Sequence, residues 1–177
     1  LAETLTSKGF QVTASDKLKK SKDQVIVIGE KGTDFWKKTA KSAKIDDSKL
    51  TKKEGFQIRT QNNITYIEGT DASGALYGAL ELTDRIKNSG KLPSEINIDD
   101  SPEMVLRGAC IGMQKPVYLP GRDVYEYPYT PETFPWFYDK ALWIKYLDML
   151  VDNRMNSLYL WNGHPFASLV KLKEYPF

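Results

Sequence analysis

The segment Ala141 to Phe166, ALWIKYLDMLVDNRMNSLYLWNGHPF, constrains the fold of this chain most. It reads as an apolar helix from Trp136 to Asp152, a short turn at Asn153 to Asn156, a buried strand from Ser157 to Trp161, and a loop opened by Asn162-Gly163. A second apolar run, Met104 to Met113, lies ahead of it. That run is interrupted by Arg107 and two glycines but does not alternate with polar residues, so it predicts a strand covered on both faces. Strand, helix and strand in this order predict a parallel α/β unit, because parallel neighbours need a long crossover. A complete β/α barrel takes roughly 250 residues. With 177 residues in the chain, the expectation is the first β-α-β portion of a TIM barrel, truncated before most of its chemistry.

Composition narrows the function. The chain is 41% hydrophobic and 27% charged, which predicts a globular protein. Its net charge of +2 arises from 25 basic and 23 acidic residues spread along the sequence, leaving no electrostatic footprint for nucleic acid. The basic run Lys17 to Lys22 reads as a solvated loop. Cys110 is the sole cysteine, which excludes an internal disulfide and a thiolate metal cluster. Its apolar surroundings predict a small buried hydrophobe and not a nucleophile. His164 is the sole histidine, so no histidine-rich metal site is expected, and no cofactor or metal is assigned. No apolar stretch reaches the roughly 18 residues of a membrane span. The chain starts at Leu1 inside an expected helix, Leu1 to Lys8, so the true N-terminus and any export signal are expected to lie outside it.

The first hundred residues read as a small α+β accessory domain. Gln24 to Glu30 is a β-branched strand ending in glycine and glutamate, and Thr33 or Asp34 caps a helix to about Ala43 with Phe35, Trp36 and Ala40 as its apolar positions. Gly55 to Thr60 and Ile64 to Gly69 predict a hairpin joined at Gln61-Asn62-Asn63. Asp71 caps a helix to Lys87, whose inward face is read as Ala72, Ala75, Leu76, Ala79, Leu82, Thr83 and Ile86. Gly74 and Gly78 lie one turn apart on a neighbouring face. Glycine costs a helix about 1 kcal/mol relative to alanine, so the pair predicts close approach of another element, most simply the sheet. Gly90 ends the helix, and Pro93 to Pro102 reads as an acidic linker. The expected domains are therefore 1–100 and 101–177.

Several residues are candidates for binding chemistry. A lone arginine in an apolar strand has two readings. Arg107 either marks the frayed strand start and faces solvent, or places five fixed donors where sugar hydroxyls or a carboxylate can meet them. The long loop Gln114 to Pro135 carries five prolines and the tyrosines Tyr118, Tyr125, Tyr127 and Tyr129. It follows the first expected barrel strand, at the face where barrel enzymes keep their active sites. These tyrosines and Trp161 either stack on pyranose rings or pack the loop itself. Asn162 and His164 stand where the second strand meets its loop; His164 either hydrogen-bonds substrate or completes a turn. Asp123, Glu126 and Asp148 are not assigned as catalytic acids, since nothing fixes two carboxylates across one glycosidic bond.

Some of these residues carry a resemblance. Glu54-Gly55-Phe56-Gln57-Ile58, Ile67-Glu68-Gly69 with Asp71, and Gly74-Ala75-Leu76-Tyr77-Gly78-Ala79-Leu80-Glu81-Leu82 together resemble the non-catalytic α/β domain ahead of the barrel in family 20 hexosaminidases and in α-glucuronidases. Leu106-Arg107-Gly108 is similar to the first barrel strand of the hexosaminidases, and YLDMLVDNRMNSLYL, from Tyr146 to Leu160, to their first helix and second strand. The resemblance implies a glycoside hydrolase, with Arg107 binding sugar hydroxyls and the catalytic acidic pair on a later strand outside this chain. It also implies a secreted or periplasmic protein with carbohydrate and the remainder of the barrel as partners. Where hexosaminidases carry a histidine- and aspartate-rich segment, this chain has Trp161-Asn162-Gly163-His164-Pro165-Phe166, which speaks against an N-acetylhexosamine substrate. The alternative is a non-catalytic carbohydrate-binding or interaction module. A nucleotide-binding α/β protein lacks its phosphate loop here, because Gly29 and Gly32 do not complete a GxGxxG pattern.

Overall fold

The computed structural model describes residues 1–18, 21–112, 131, 135–161 and 173. The chain divides into two compact units, Leu1–Glu103 and Met104–Phe177.

The first unit contains α1 (Ala2–Ser7), β1 (Val25–Glu30), α2 (Asp34–Ala43), β2 (Phe56–Gln61), β3 (Ile64–Gly69), α3 (Ala72–Ser89) and β4 (Asn97–Asp100). Its four-stranded sheet has the order β1-β3-β2-β4. β1 runs parallel to β3, while β2 pairs antiparallel with both β3 and β4. Gln61 pairs with Ile64, so the hairpin turn is the two residues Asn62 and Asn63, with φ of 48° and 65°. Both lie in the left-handed region that two-residue hairpins demand and asparagine tolerates better than most side chains.

The hairpin's apolar residues serve two cores. Phe56, Ile58 and Ile67 face α3 and α1, where they meet Leu5, Tyr77, Leu82 and Ile86. Ile64 and Tyr66 face the other way, joining Val27 against Trp36 and Ala40 of α2. The sheet is thus covered by helices on both sides, which the simple alternation of each strand does not disclose.

Capping sets the helix starts. Thr33 Oγ1 accepts from the Trp36 amide at 3.3 Å, and Asp71 Oδ1 accepts from the Gly74 amide at 2.9 Å. Gly90, at φ 72°, closes α3. Two helix faces differ from expectation. Phe35 and Leu76 are exposed, at 42% and 44%, while Trp36 and Tyr77 take the inward positions. In α3 the reason is the glycine pair: with Gly74 and Gly78 buried toward the sheet, the inward arc shifts from Leu76 to Tyr77.

The expected acidic linker is also part of the sheet. Ile96 is buried and Ile98 packs on the same core, and Arg59 Nη1 donates to the Ile98 carbonyl while Nη2 meets Asp99 Oδ1, each at 2.6 Å. Alternating isoleucines behind an arginine clamp make 97–100 an edge strand, which its carboxylates keep solvated.

The second unit contains β5 (Gly108–Gly112), a 3₁₀ turn at Pro135–Tyr138, α4 (Lys140–Asp152) and β6 (Ser157–Trp161). β5 and β6 are parallel, from Gly108 opposite Ser157 to Gly112 opposite Trp161. This is the β-α-β unit expected from the sequence, although Met104, Val105 and Leu106 stand outside the strand and are exposed. Phe137 is buried among Ile111, Trp136, Trp143 and Leu160, and the Trp143 indole donates to the Phe137 carbonyl at 2.7 Å. Cys110, expected to be buried, is exposed. It pairs with Tyr159, also exposed, on the strand face opposite Ile111 and Leu160. On the apolar helix α4, Ile144, Leu147 and Val151 are exposed, and Leu150 is the buried residue.

Candidate functional site

In the first unit the residues that carry the resemblance sit together, and their work is packing. Asp71 uses one carboxylate oxygen to cap α3 and the other to accept from the Glu54 amide at 2.9 Å. Thr70 reaches the same segment: its amide donates to the Gly55 carbonyl at 2.9 Å and its hydroxyl donates to Lys52 and Gly55 carbonyls. A Cβ on Gly74 would collide with the Gly55 carbonyl, and one on Gly78 would lie 2.5 Å from Ile67 Cγ2. The glycine pair therefore marks the close approach that its spacing predicts. Glu54-Gly55, Gly69 to Asp71 and the two helix glycines fasten α3 to the sheet and to the segment before β2. Their observed roles are capping and close packing.

Glu68 is the exception within that signature. It is 1% exposed, lies on β3 between Gly29 of β1 and Gln57 of β2, and accepts from Gln57 Nε2. Trp36 covers Gly29, where any Cβ would strike the indole ring. Glu68 Oε1 and Trp36 Nε1 are both buried and make no hydrogen bond of ordinary geometry among the described residues, although the indole lies close enough to favour the ionised carboxyl. Burial pushes the Glu68 carboxyl above the usual glutamate range; Gln57, Trp36 and Lys31 oppose this, and Asp47 reinforces it. Lys31 is committed elsewhere, with Nζ bonded to the Asp47 and Leu50 carbonyls at 2.8 and 2.9 Å and 3.6 Å from Asp47 Oδ2.

In the second unit Arg107 and Trp161 belong to opposite ends of the strand pair. Arg107 immediately precedes β5, at the end of the ladder where Gly108 faces Ser157, whereas Trp161 ends β6 opposite Gly112. At about 3.3 Å per residue, the five steps from Arg107 to Gly112 separate the two by roughly 16 Å along the strand. Arg107 Nε donates to the Arg154 carbonyl at 2.9 Å and Nη1 to the Met104 carbonyl at 2.7 Å. Asn162 and His164 lie outside the described residues, as do Tyr118, Tyr125, Tyr127, Tyr129, Asp123 and Glu126. Asp148 is exposed on α4. Among the described residues no cluster of three histidine, cysteine or acidic side chains could hold a metal, and no helix is long and apolar enough to cross a membrane.

One residue that the sequence reading assigned only to a turn organises this end of the ladder. The Asn156 side chain accepts from the Arg107 amide and donates to the Val105 carbonyl, both at 2.9 Å, while its own amide donates to the Arg107 carbonyl at 2.8 Å. Its carboxamide behaves as an extra peptide unit that extends the β5–β6 pairing by one rung. An asparagine directly before a buried strand, with no helix to cap, is the sequence signal for it. Asn156→Ala is expected to destabilise the second unit by about 1–2 kcal/mol, because water replaces two hydrogen bonds at a partly solvated site. Faster amide exchange at Gly108 to Cys110, with β2 and β3 unchanged, is the readout.

No protein-family model matches the chain, and no curated protein matches it. Solved structures do. A GH138 enzyme targeting pectin rhamnogalacturonan II aligns with a TM-score of 0.74 and 50% identity, over 99% of this chain and 18% of its own. BtGH115A, a family GH115 4-O-methyl-α-glucuronidase with specificity for decorated arabinogalactans, aligns with a TM-score of 0.54 and 20% identity, over 76% of this chain and 19% of its own. CpGH84B aligns with a TM-score of 0.54 and 20% identity, over 93% of this chain and 25% of its own. The last two share the fold. The chain thus spans a quarter or less of each of these proteins, and its structural neighbours are glycoside hydrolases.

Proposed function

We propose that this chain is part of a glycoside hydrolase that cleaves glycosidic bonds in a pectic polysaccharide, with the catalytic carboxylates outside residues 1–177. The observation that carries this is the 50% identity to a GH138 enzyme over 99% of the chain. In this reading residues 1–103 form the accessory α/β domain and β5-α4-β6 opens a β/α barrel. The exposed apolar side chains of α4 and the exposed Cys110–Tyr159 face of the strand pair support it, since further strands and helices would cover both. Hydrolysis then follows the two-carboxylate scheme, one acid protonating the leaving oxygen while the other acts as nucleophile or base. Trp161, the last residue of β6, is the proposed sugar-stacking residue, since an indole offers a flat partner to apolar sugar faces, and Asn162 and His164, which follow it in sequence, are proposed to contact substrate with it. For Arg107 the two bonded carbonyls favour the structural reading over the sugar-binding one. A secreted or periplasmic protein would meet such a polysaccharide substrate.

The test uses the full-length protein carrying this chain, with rhamnogalacturonan II oligosaccharides. Trp161→Ala is expected to lower kcat/KM at least tenfold, about 1.4 kcal/mol of lost transition-state binding, while a Lys38→Ala control, at an exposed position of α2, stays near wild type. An unchanged kcat/KM removes Trp161 from the site. Tight glycan binding without release of any sugar would favour the non-catalytic module instead.

A further inference from the structure

We propose that the Glu68 carboxyl, sealed between Gly29, Gln57 and the Trp36 indole, is a proton-operated latch: neutral, it holds α2 on the sheet, and ionised, it loosens α2 and the segment 44–55. Within the packing signature Glu68 is the most deeply buried carboxyl, at 1% exposure and shielded from solvent. A buried carboxylate is stable only where donors meet both oxygens. Here Gln57 supplies one bond, while Oε1 is left to an indole held off ideal geometry.

The surrounding charges do not compensate. From the end of β1, Lys31 is the one cation among the described residues acting on Glu68, and it is spent on the Asp47 and Leu50 carbonyls and on Asp47 itself. From the 44–55 segment, Asp47 adds a like charge. On the same strand, β3, Tyr66 is itself pushed up by burial and stays neutral across the relevant range. From β2, Gln57 is neutral, and from α2 the covering group is an uncharged indole. Gln57 can present either end of its amide, Nε2–H to a carboxylate or Oε1 to a protonated acid, so the neutral state finds a complete hydrogen bond in place.

The sign follows from linkage. A carboxyl whose folded value is raised binds more protons folded than unfolded, so its stabilisation is complete below the ordinary glutamate range and is lost as pH rises through the folded value. Trp36 is the largest side chain of the α2 core, and Lys31 ties the 44–55 segment to the same corner. Those elements are the first to feel the charge.

The experiment is amide exchange on the 177-residue chain from about pH 5 to 8, corrected for intrinsic chemistry. Protection of α2 amides is expected to fall at least tenfold across that range, while α3 amides, packed on the opposite face, change less. Glu68→Gln is expected to abolish the dependence. A wild-type profile without the fall, or the same fall in Glu68→Gln, overturns the latch. Should that variant not fold, the carboxyl carbon of Glu68 is followed by NMR in the wild-type chain. A midpoint above the ordinary glutamate range, tracking the loss of α2 protection, supports the proposal, and one within that range overturns it.

Discussion

Gly74→Ala is expected to destabilise the Leu1–Glu103 unit by about 3 kcal/mol, against the direction that helix propensity alone gives. Alanine is favoured over glycine inside a helix by about 1 kcal/mol, so an unencumbered site would gain stability. At Gly74 the added methyl meets main chain, with the Gly55 carbonyl in its path and the Gly55 and Glu54 carbonyl carbons 3.1 and 3.2 Å away. No rotamer change relieves a backbone clash. The Gly55 carbonyl is moreover held in place by two donors on Thr70. Overpacking of this kind costs roughly 1–3 kcal/mol and more where nothing yields, which outweighs the propensity gain. For a unit of this size about 3 kcal/mol is a shift of roughly 12–24 °C in Tm. The exposed neighbour Leu76→Ala, by contrast, is expected to stay within about 0.5 kcal/mol. Exchange rates of β2 and β3 amides distinguish the two variants.

Gly78 differs because its neighbour is a side chain. Ile67→Ala alone removes a fully buried isoleucine from the centre of the core and is expected to cost about 3–4 kcal/mol. Gly78→Ala alone drives a methyl against Ile67 Cγ2 and lies close to Phe56, at about 2 kcal/mol. In the double variant the alanine at 78 occupies space that Ile67 has vacated, so the two losses are not additive. The expected coupling is about 1–2 kcal/mol in the favourable direction. Strict additivity in urea unfolding would mean that α3 does not approach β3 as closely as described.

Local chemistry was the legible part of the sequence. Asp71, Thr33 and the Asn62-Asn63 turn act where their side chains predict, because caps and tight turns depend on a few adjacent residues. The Gly74/Gly78 pair announced a close approach for the same reason: glycine inside a helix is costly unless space requires it. What escaped the reading depends on neighbours distant in sequence. Residues 97–100 are a strand because Arg59, far upstream, clamps Ile98 and Asp99. Tyr77 replaces Leu76 in the core because the sheet comes close enough to turn the helix. Asn156 takes its role from Val105 and Arg107, which no local periodicity reveals. For the site, the strand bearing Trp161 was readable from its apolar run, whereas the opposite placement of Arg107 required the register of β5 against β6.

The proposal that this chain is part of a pectin-acting glycoside hydrolase with its cleaving groups outside residues 1–177 is tested most directly by comparing sugar release from rhamnogalacturonan II by residues 1–177 and by the full-length protein. The account predicts a reducing-sugar signal from the full-length protein and none from 1–177. Hydrolysis by 1–177 at a comparable rate, or a full-length protein that cleaves no glycan, would contradict it.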